Sequence, residues 1–377
     1  MVGCSCILLE SPPAMRRFWP AVVVFAISVG YIGWRLALFE GEPLAVSEIG
    51  TRYELHDPDG TEGYDGQFNA YIALDPEPTS VAPHLDVPAY RYQRILYPLL
   101  ARLAVLGQSA WIPWSLLALN LVVQTAASAG VADLLSRRGL PVGYSLIYGL
   151  WVGLIAGVGL NLHEPLAYGL VVLAFVFRER GRYVPMALSL GLALFAKETT
   201  AVFWLAILIA DSVRRRFDGG YLFMIISGAL FMVWQFWLKL TFGAFGVGSG
   251  GEMATPFEWI PFMGFLRIGT VSVKALALFA LIFGPTVLFP TVFSLLQGAA
   301  RLREDAGNEF AWSSLLNAAV IMLLPFSTFR EPLGLVRIFT GVVLSVLLLN
   351  AQLKNRKTLN YACFWIMMLS LLINQSA

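Results

Sequence analysis

Six compact basic clusters divide a chain that is otherwise a succession of apolar runs: Arg16-Arg17, Arg137-Arg138, Arg178/Arg180/Arg182, Arg214-Arg215-Arg216, Arg301/Arg303 and Lys354/Arg356/Lys357. They hold 15 of the 26 Lys and Arg residues. Cytoplasmic loops of membrane proteins carry such an excess, so all six clusters belong on one side, and an even number of crossings separates each neighbouring pair. Hydrophobic residues make up 58% of the chain against 13% charged, and mean hydropathy is +0.70, which excludes a water-soluble enzyme. The formal charge of only +2 gives no sign of a nucleic-acid partner.

The pairing rule yields eleven crossings, near 18–39, 112–135, 142–160, 164–177, 184–196, 199–213, 221–241, 271–296, 311–326, 335–351 and 360–375. The expected fold class is all-α: a polytopic integral membrane protein of about 11 transmembrane helices, with the N-terminus cytoplasmic and the C-terminus outside, as in a bacterial inner (plasma) membrane. Residues 1–377 read as a single membrane domain with a cytoplasmic tail, 1–17, a large first external loop, 40–110, and a second external loop, 242–270. The first run is long enough to be a retained anchor, with no small-residue cleavage site after it, and Met15 is an alternative start. Two hairpin helices, 164–177 and 184–196, span only roughly 20 Å at 1.5 Å per residue. A single helix from Tyr183 to Val213 competes with them, but it centres Lys197 and Glu198 in hydrocarbon at about 2.5–3.5 kcal/mol per charge. Short helices whose tips meet in a wet cavity are the preferred reading.

The polar residues that interrupt the apolar pattern then fall on the external side: Asp65, His163, Glu164, Lys197, Glu198, Arg330, Glu331 and Arg337, with His56 and His84. External cations run against the positive-inside bias, so Lys197, Arg330 and Arg337 read as an anion site. The stretch YRYQRILYPLLARLAVLG, which begins at Tyr90, reads as an amphipathic surface helix. Arg91 and Arg94 share one side of it and either hold a lipid phosphate or bind ordinary anionic headgroups. Lys197 and Glu198 are adjacent, so separate partners are expected for them. His163-Glu164-Pro165 opens a short helix, where Glu164 reads nearly as well as a helix-start residue favoured by the dipole. No second His stands at ligand spacing from His163, so no metal is expected. If the helix after Pro332 begins early, Arg330 and Arg337, seven residues apart, face one cavity. Cys4, Cys6 and Cys363 are too scattered for a disulfide framework or a metal site.

Tyr64-Asp65-Gly66-Gln67-Phe68, with Ile72 and Ala73, follows the first span and precedes Leu96-Tyr97-Pro98-Leu99-Leu100. Alone, Asp65 reads as a solvated turn carboxylate, one of eleven acidic residues in its loop. Together these pieces resemble the GT-C superfamily of membrane glycosyltransferases, nearest the mannosyltransferases of glycosylphosphatidylinositol-anchor assembly and their bacterial relatives. Ala196 to Thr199 is similar to a Lys-containing tip in other branches of that superfamily. The likeness covers the helical layout, but its sharp motif covers only about 40 residues. It implies a GT-C-like fold, Asp65 as catalytic base, a polyprenyl-phosphate sugar as donor, a lipid or glycan acceptor, transfer of a hexose such as mannose with inversion, and no cofactor. The Tyr-Asp-Gly-Gln core departs from the Asp-Ala-Trp-Tyr type, which leaves the sugar open. A transporter for an anionic lipid, or a non-catalytic subunit of an envelope-polymer complex, remains the alternative. Gly246 to Gly251 fits G-x-G-x-x-G, yet it follows a membrane helix instead of a strand and reads as a loop near the substrate entrance.

Overall fold

The computed structural model describes residues 17–376, so the tail before Arg17, with Cys4, Cys6 and Met15, lies outside the described residues. Among them the chain is all helical, without strands. Helix α1 is Trp19–Leu38. In the long segment between α1 and the next long helix lie α2 (Gly66–Leu74), α3 (Pro88–Tyr92) and α4 (Leu96–Ala104). The body continues with α5 (Ile112–Arg137), α6 (Val152–Gly159), α7 (Glu164–Glu179), α8 (Tyr183–Ala196), α9 (Ala201–Val213) and α10 (Gly219–Phe242). It ends with α11 (Val273–Phe283), α12 (Phe289–Glu304), α13 (Glu309–Met322) and α14 (Pro332–Gln352).

By length and composition, five helical segments are able to cross a membrane: α1, Ser109–Arg137, α10, Val273–Glu304 and α14. A sixth forms if Val142–Gly149 and α6, bent by 57° at the break between them, count as one. Several of the remaining expected crossings are short apolar helices of 13 to 16 residues, α7, α8, α9 and α13. The final run, expected as a span over 360–375, divides into a helix, Arg356–Ala362, and a 3-10 stretch, Cys363–Ser376. Most residues from Leu335 to Ala351 are buried, which makes α14 the central helix of the core.

The single helix Tyr183 to Val213 is not formed. Lys197 is extended, at φ −160° and ψ 125°, and a 3-10 turn, Glu198–Thr200, follows before α9. The two halves run antiparallel, because Arg178 touches the start of α8 at Met186 and the end of α9 at Asp211. A sharp backbone break gives Lys197 and Glu198 a hairpin tip in place of a mid-helix position.

Side-chain contacts gather the basic clusters at Arg17, Arg137-Arg138, Arg178/Arg180 and Arg214 at one end. Asp133 receives Arg17, Arg137 and Arg180, and Arg138 pairs with Glu179. Arg178 forks onto Asp211 at 3.0 and 2.7 Å and reaches Glu309 at 3.0 Å, while Arg214 meets Glu309 and Asp305. Asn308 bonds Gln352 beside the last cluster at 2.9 Å. Because α7 has Glu164 at one end and Arg178 near the other, the residues around Glu164 stand about 20 Å away.

The expected surface helix is broken into α3 and α4. Leu103 and Leu106 at its far end are exposed and suit an apolar surface, but Arg91 and Arg94 are buried and do not face the headgroups. The reason is electrostatic: carboxylates across the loop offer them partners that a flat surface lacks.

Candidate functional site

The site begins with a turn that only glycine permits. A Cβ on Gly66 would lie 1.9 Å from the Leu160 carbonyl oxygen, so the start of α2 sits flush against the end of α6 and fixes Asp65 beside it. Asp65 faces a cavity of about 880 Å³. Its lining includes the charged side chains of Asp65, Arg91, Arg94, Lys197, Glu198 and Arg337. It also includes the apolar side chains of Phe257, Val320, Leu324 and Ile338.

Two guanidinium groups grip Asp65. Arg91 reaches one carboxylate oxygen at 2.8 Å and Arg337 the other at 2.7 Å. Asp65 keeps 26% of its side chain exposed, while each arginine is only 6% exposed, so of the three the carboxylate is the most open to the cavity. Burial would raise its pKa, but Arg91 and Arg337 outweigh that effect and hold the carboxyl well below the usual carboxylate range. Asp65 is therefore ionised at neutral pH.

Behind this pair stands a second tier. Arg337 donates its Nε to Glu164 at 2.7 Å, and Lys197 pairs with the same oxygen. Asp86 accepts both the Nε and a terminal nitrogen of Arg91 at 2.7 Å, a bidentate fork that leaves the remaining nitrogen for Asp65. Glu198 holds Arg94 in the same manner at 2.7 and 2.5 Å, and the Tyr90 hydroxyl accepts from Arg94 at 2.6 Å. Tyr64 accepts from Arg337 at 2.9 Å and donates to Glu331 at 2.9 Å. Burial pushes the Tyr64 phenol well up, so it remains a neutral donor.

Most of the residues expected from sequence come together here, with three corrections. His163 does not line the cavity: it is 2% exposed and packs edge-on against Tyr97, next to Asn69. Glu164 is fully buried, and its partners are Lys197 and Arg337; its side chain caps nothing, so it positions the two cations from behind. Arg330 does not share a helix face with Arg337, because Glu331 breaks the chain between a short helix, Phe326–Arg330, and α14. Arg330 still reaches the cavity wall, exposed and over the Phe326 ring. Lys197 and Glu198 have separate partners, as their adjacency requires. Among the described residues no group of three or more His, Cys, Asp or Glu is placed to hold a metal ion.

Sequence reasoning missed Asp86, Tyr64 and Tyr90. Tyr90 stands four residues before Arg94, a spacing at which side chains meet on one helix turn. Asp86 gives no comparable signal, since it folds back from the segment before α3. The loop 242–270 also contributes more than expected. Residues 247–257 line the cavity, and Glu252 accepts from Arg52 at 3.0 Å and from Tyr53 at 2.7 Å, tying this loop to the segment 40–110.

Among the described residues the fold and the site thus define an all-helical protein with five or six helices able to cross a membrane and a large, charge-lined cavity. No protein-family model matches the chain, and no curated protein or solved structure does.

Proposed function

We propose that this protein is a membrane glycosyltransferase of GT-C type. It transfers a hexose such as mannose from a polyprenyl-phosphate carrier to a lipid-linked or cell-surface glycan acceptor on the external face. The observation that carries the reading is Asp65, a carboxylate presented to an 880 Å³ cavity between Arg91 and Arg337, with Arg94 and Lys197 lining the same cavity. The gathering of the basic clusters at the far end supports a cytoplasmic location for that end and an external one for the cavity. An eleven-crossing layout follows if the bent pair Val142–Gly149 and α6 counts as one crossing, if α7, α8, α9 and α13 cross where the cavity thins the apolar layer, and if the final stretch from Arg356 to Ser376 crosses as well.

In this mechanism the donor phosphate enters the arginine cluster and competes with Asp65 for Arg91 and Arg337. Planar guanidinium forks suit phosphate oxygens, and they neutralise charge as the phosphate departs. A carboxylate gripped by two cations is a weak base, so drawing them toward the phosphate raises its basicity when the donor is present. Asp65 then takes the proton of an acceptor hydroxyl as its oxygen attacks the anomeric carbon. The bond from that carbon to the phosphate oxygen breaks, polyprenyl phosphate leaves with the electron pair, and the configuration inverts. The apolar lining residues Phe257, Val320, Leu324 and Ile338 give the prenyl chain something to pack against.

The test is sugar transfer from labelled polyprenyl-phosphate hexoses by wild type and by Asp65→Asn at matched expression. Transfer that vanishes in the variant supports the reading. Transfer that persists moves the base elsewhere, and no transfer from any donor favours carriage of an anionic lipid. Sidedness has its own check: Ser212→Cys and Ser327→Cys should label from opposite faces of sealed membranes, and labelling from one face would overturn the layout.

A further inference from the structure

Gln93 lies between the two arginines of the α3–α4 segment, and the chemistry above does not use it. It lines the cavity, is 1% exposed, and neither its side-chain oxygen nor its nitrogen has a protein partner. A buried carboxamide without partners is costly, and it retains one acceptor and two donors to offer.

The glycine-rich loop passes directly over it. A Cβ on Gly246 would lie 2.6 Å from the Gln93 Cβ and 2.9 Å from its Oε1, so glycine alone allows this approach. The same loop is pinned by Gln235, whose Oε1 accepts the Val247 N–H at 3.0 Å. Gln235 is 2% exposed, and its Nε2 is also unpartnered. Two buried carboxamides with unused hydrogen-bonding capacity therefore flank one stretch of loop, and its next residues, 247–251, line the cavity. Gly248 and Gly250 have positive φ, +85° and +66°, so that stretch rearranges at little steric cost.

Neutral amides beside an arginine cluster divide a ligand by chemistry. The arginines suit phosphate, whereas an amide that both donates and accepts suits hydroxyl groups, which do the same. We infer that Gln93 is a specificity-determining residue that reads hydroxyls of the sugar on the donor lipid, with the Gln235-pinned loop shifting to admit the ring and closing over it. This inference rests on the glycosyl-transfer reading.

Binding separates the two claims. Full-length protein in nanodiscs is titrated with a short polyprenyl phosphate and with its mannosyl, glucosyl and galactosyl esters. Gln93→Met keeps length and volume while removing the polar atoms, and Gln93→Asn keeps a shorter amide; thermal unfolding verifies that each folds. Gln93→Met should weaken the preferred ester roughly 10-fold or more while changing the bare phosphate less than about twofold, with Gln93→Asn in between. Equal weakening of both ligands, or of neither, overturns the role of Gln93 and leaves the glycosyltransferase reading intact. Wild type that binds none of these lipids overturns both.

Discussion

The molecule contains two knots of arginine and carboxylate, one at each end, and their chemistry is nearly the same. Arg178 with Asp211 and Glu309 ties α7, α9 and α13 together, and all three side chains are buried or nearly so. Asp65 with Arg91 and Arg337 ties the loop 40–110 to α14, but it opens on the cavity and leaves the carboxylate partly exposed. The difference teaches that ion pairing does not by itself mark a site. Access, and a ligand able to compete for the same donors, separates a staple from a reactive group.

Substitutions at the two knots should therefore fail in different ways. Asp65→Asn should lower transfer by roughly 10²- to 10⁴-fold while the protein still inserts and folds. A loss of folding in place of turnover would make the Asp65 knot a staple as well. Arg178→Ala leaves Asp211 buried without a cation and Glu309 with only its longer contact to Arg214, and should cost about 3–5 kcal/mol of stability. Turnover per folded molecule should be unchanged, which thermal unfolding and transfer assays on one preparation measure together. Arg337→Lys keeps charge but loses the planar fork that serves Asp65, Tyr64 and Glu164 at once, and should raise the donor KM roughly 10-fold. An unchanged KM would remove Arg337 from phosphate binding.

The smallest effect is in stability against pH. The folded-state pKa of Asp65 is depressed, so its contribution is present above the unfolded value of roughly 3.9 and is lost as pH falls through the lower folded value. Wild type should exceed Asp65→Asn by about 1–3 kcal/mol at pH 7, and the gap should shrink below about pH 4. A gap that grows on acidification would reverse the sign of the argument.

Much of this contrast was legible in the chain. Apolar spacing located most of the helices to within a few residues, but the run expected over 271–296 continues to Glu304 and the one over 360–375 divides. The break at Lys197 followed from the cost of two charges in mid-helix. Amphipathicity placed Arg91 and Arg94 on one face, but it carries no information about Asp65 and Glu198 waiting across the loop, so a buried pair read as a surface one. His163 had the opposite fate: a polar residue in an apolar context read as part of the site, whereas packing against Tyr97 absorbs it. Asp86 escaped because its value depends on a fold-back that no local pattern records.

The central claim is that the cavity-end knot performs chemistry and the basic-end knot does not. The most direct measurement is sugar transfer from polyprenyl-phosphate hexoses by equal folded amounts of wild type, Asp65→Asn and Arg178→Ala. The account predicts transfer by wild type and Arg178→Ala at matching rates and essentially none by Asp65→Asn. Transfer by Asp65→Asn at the wild-type rate would contradict it.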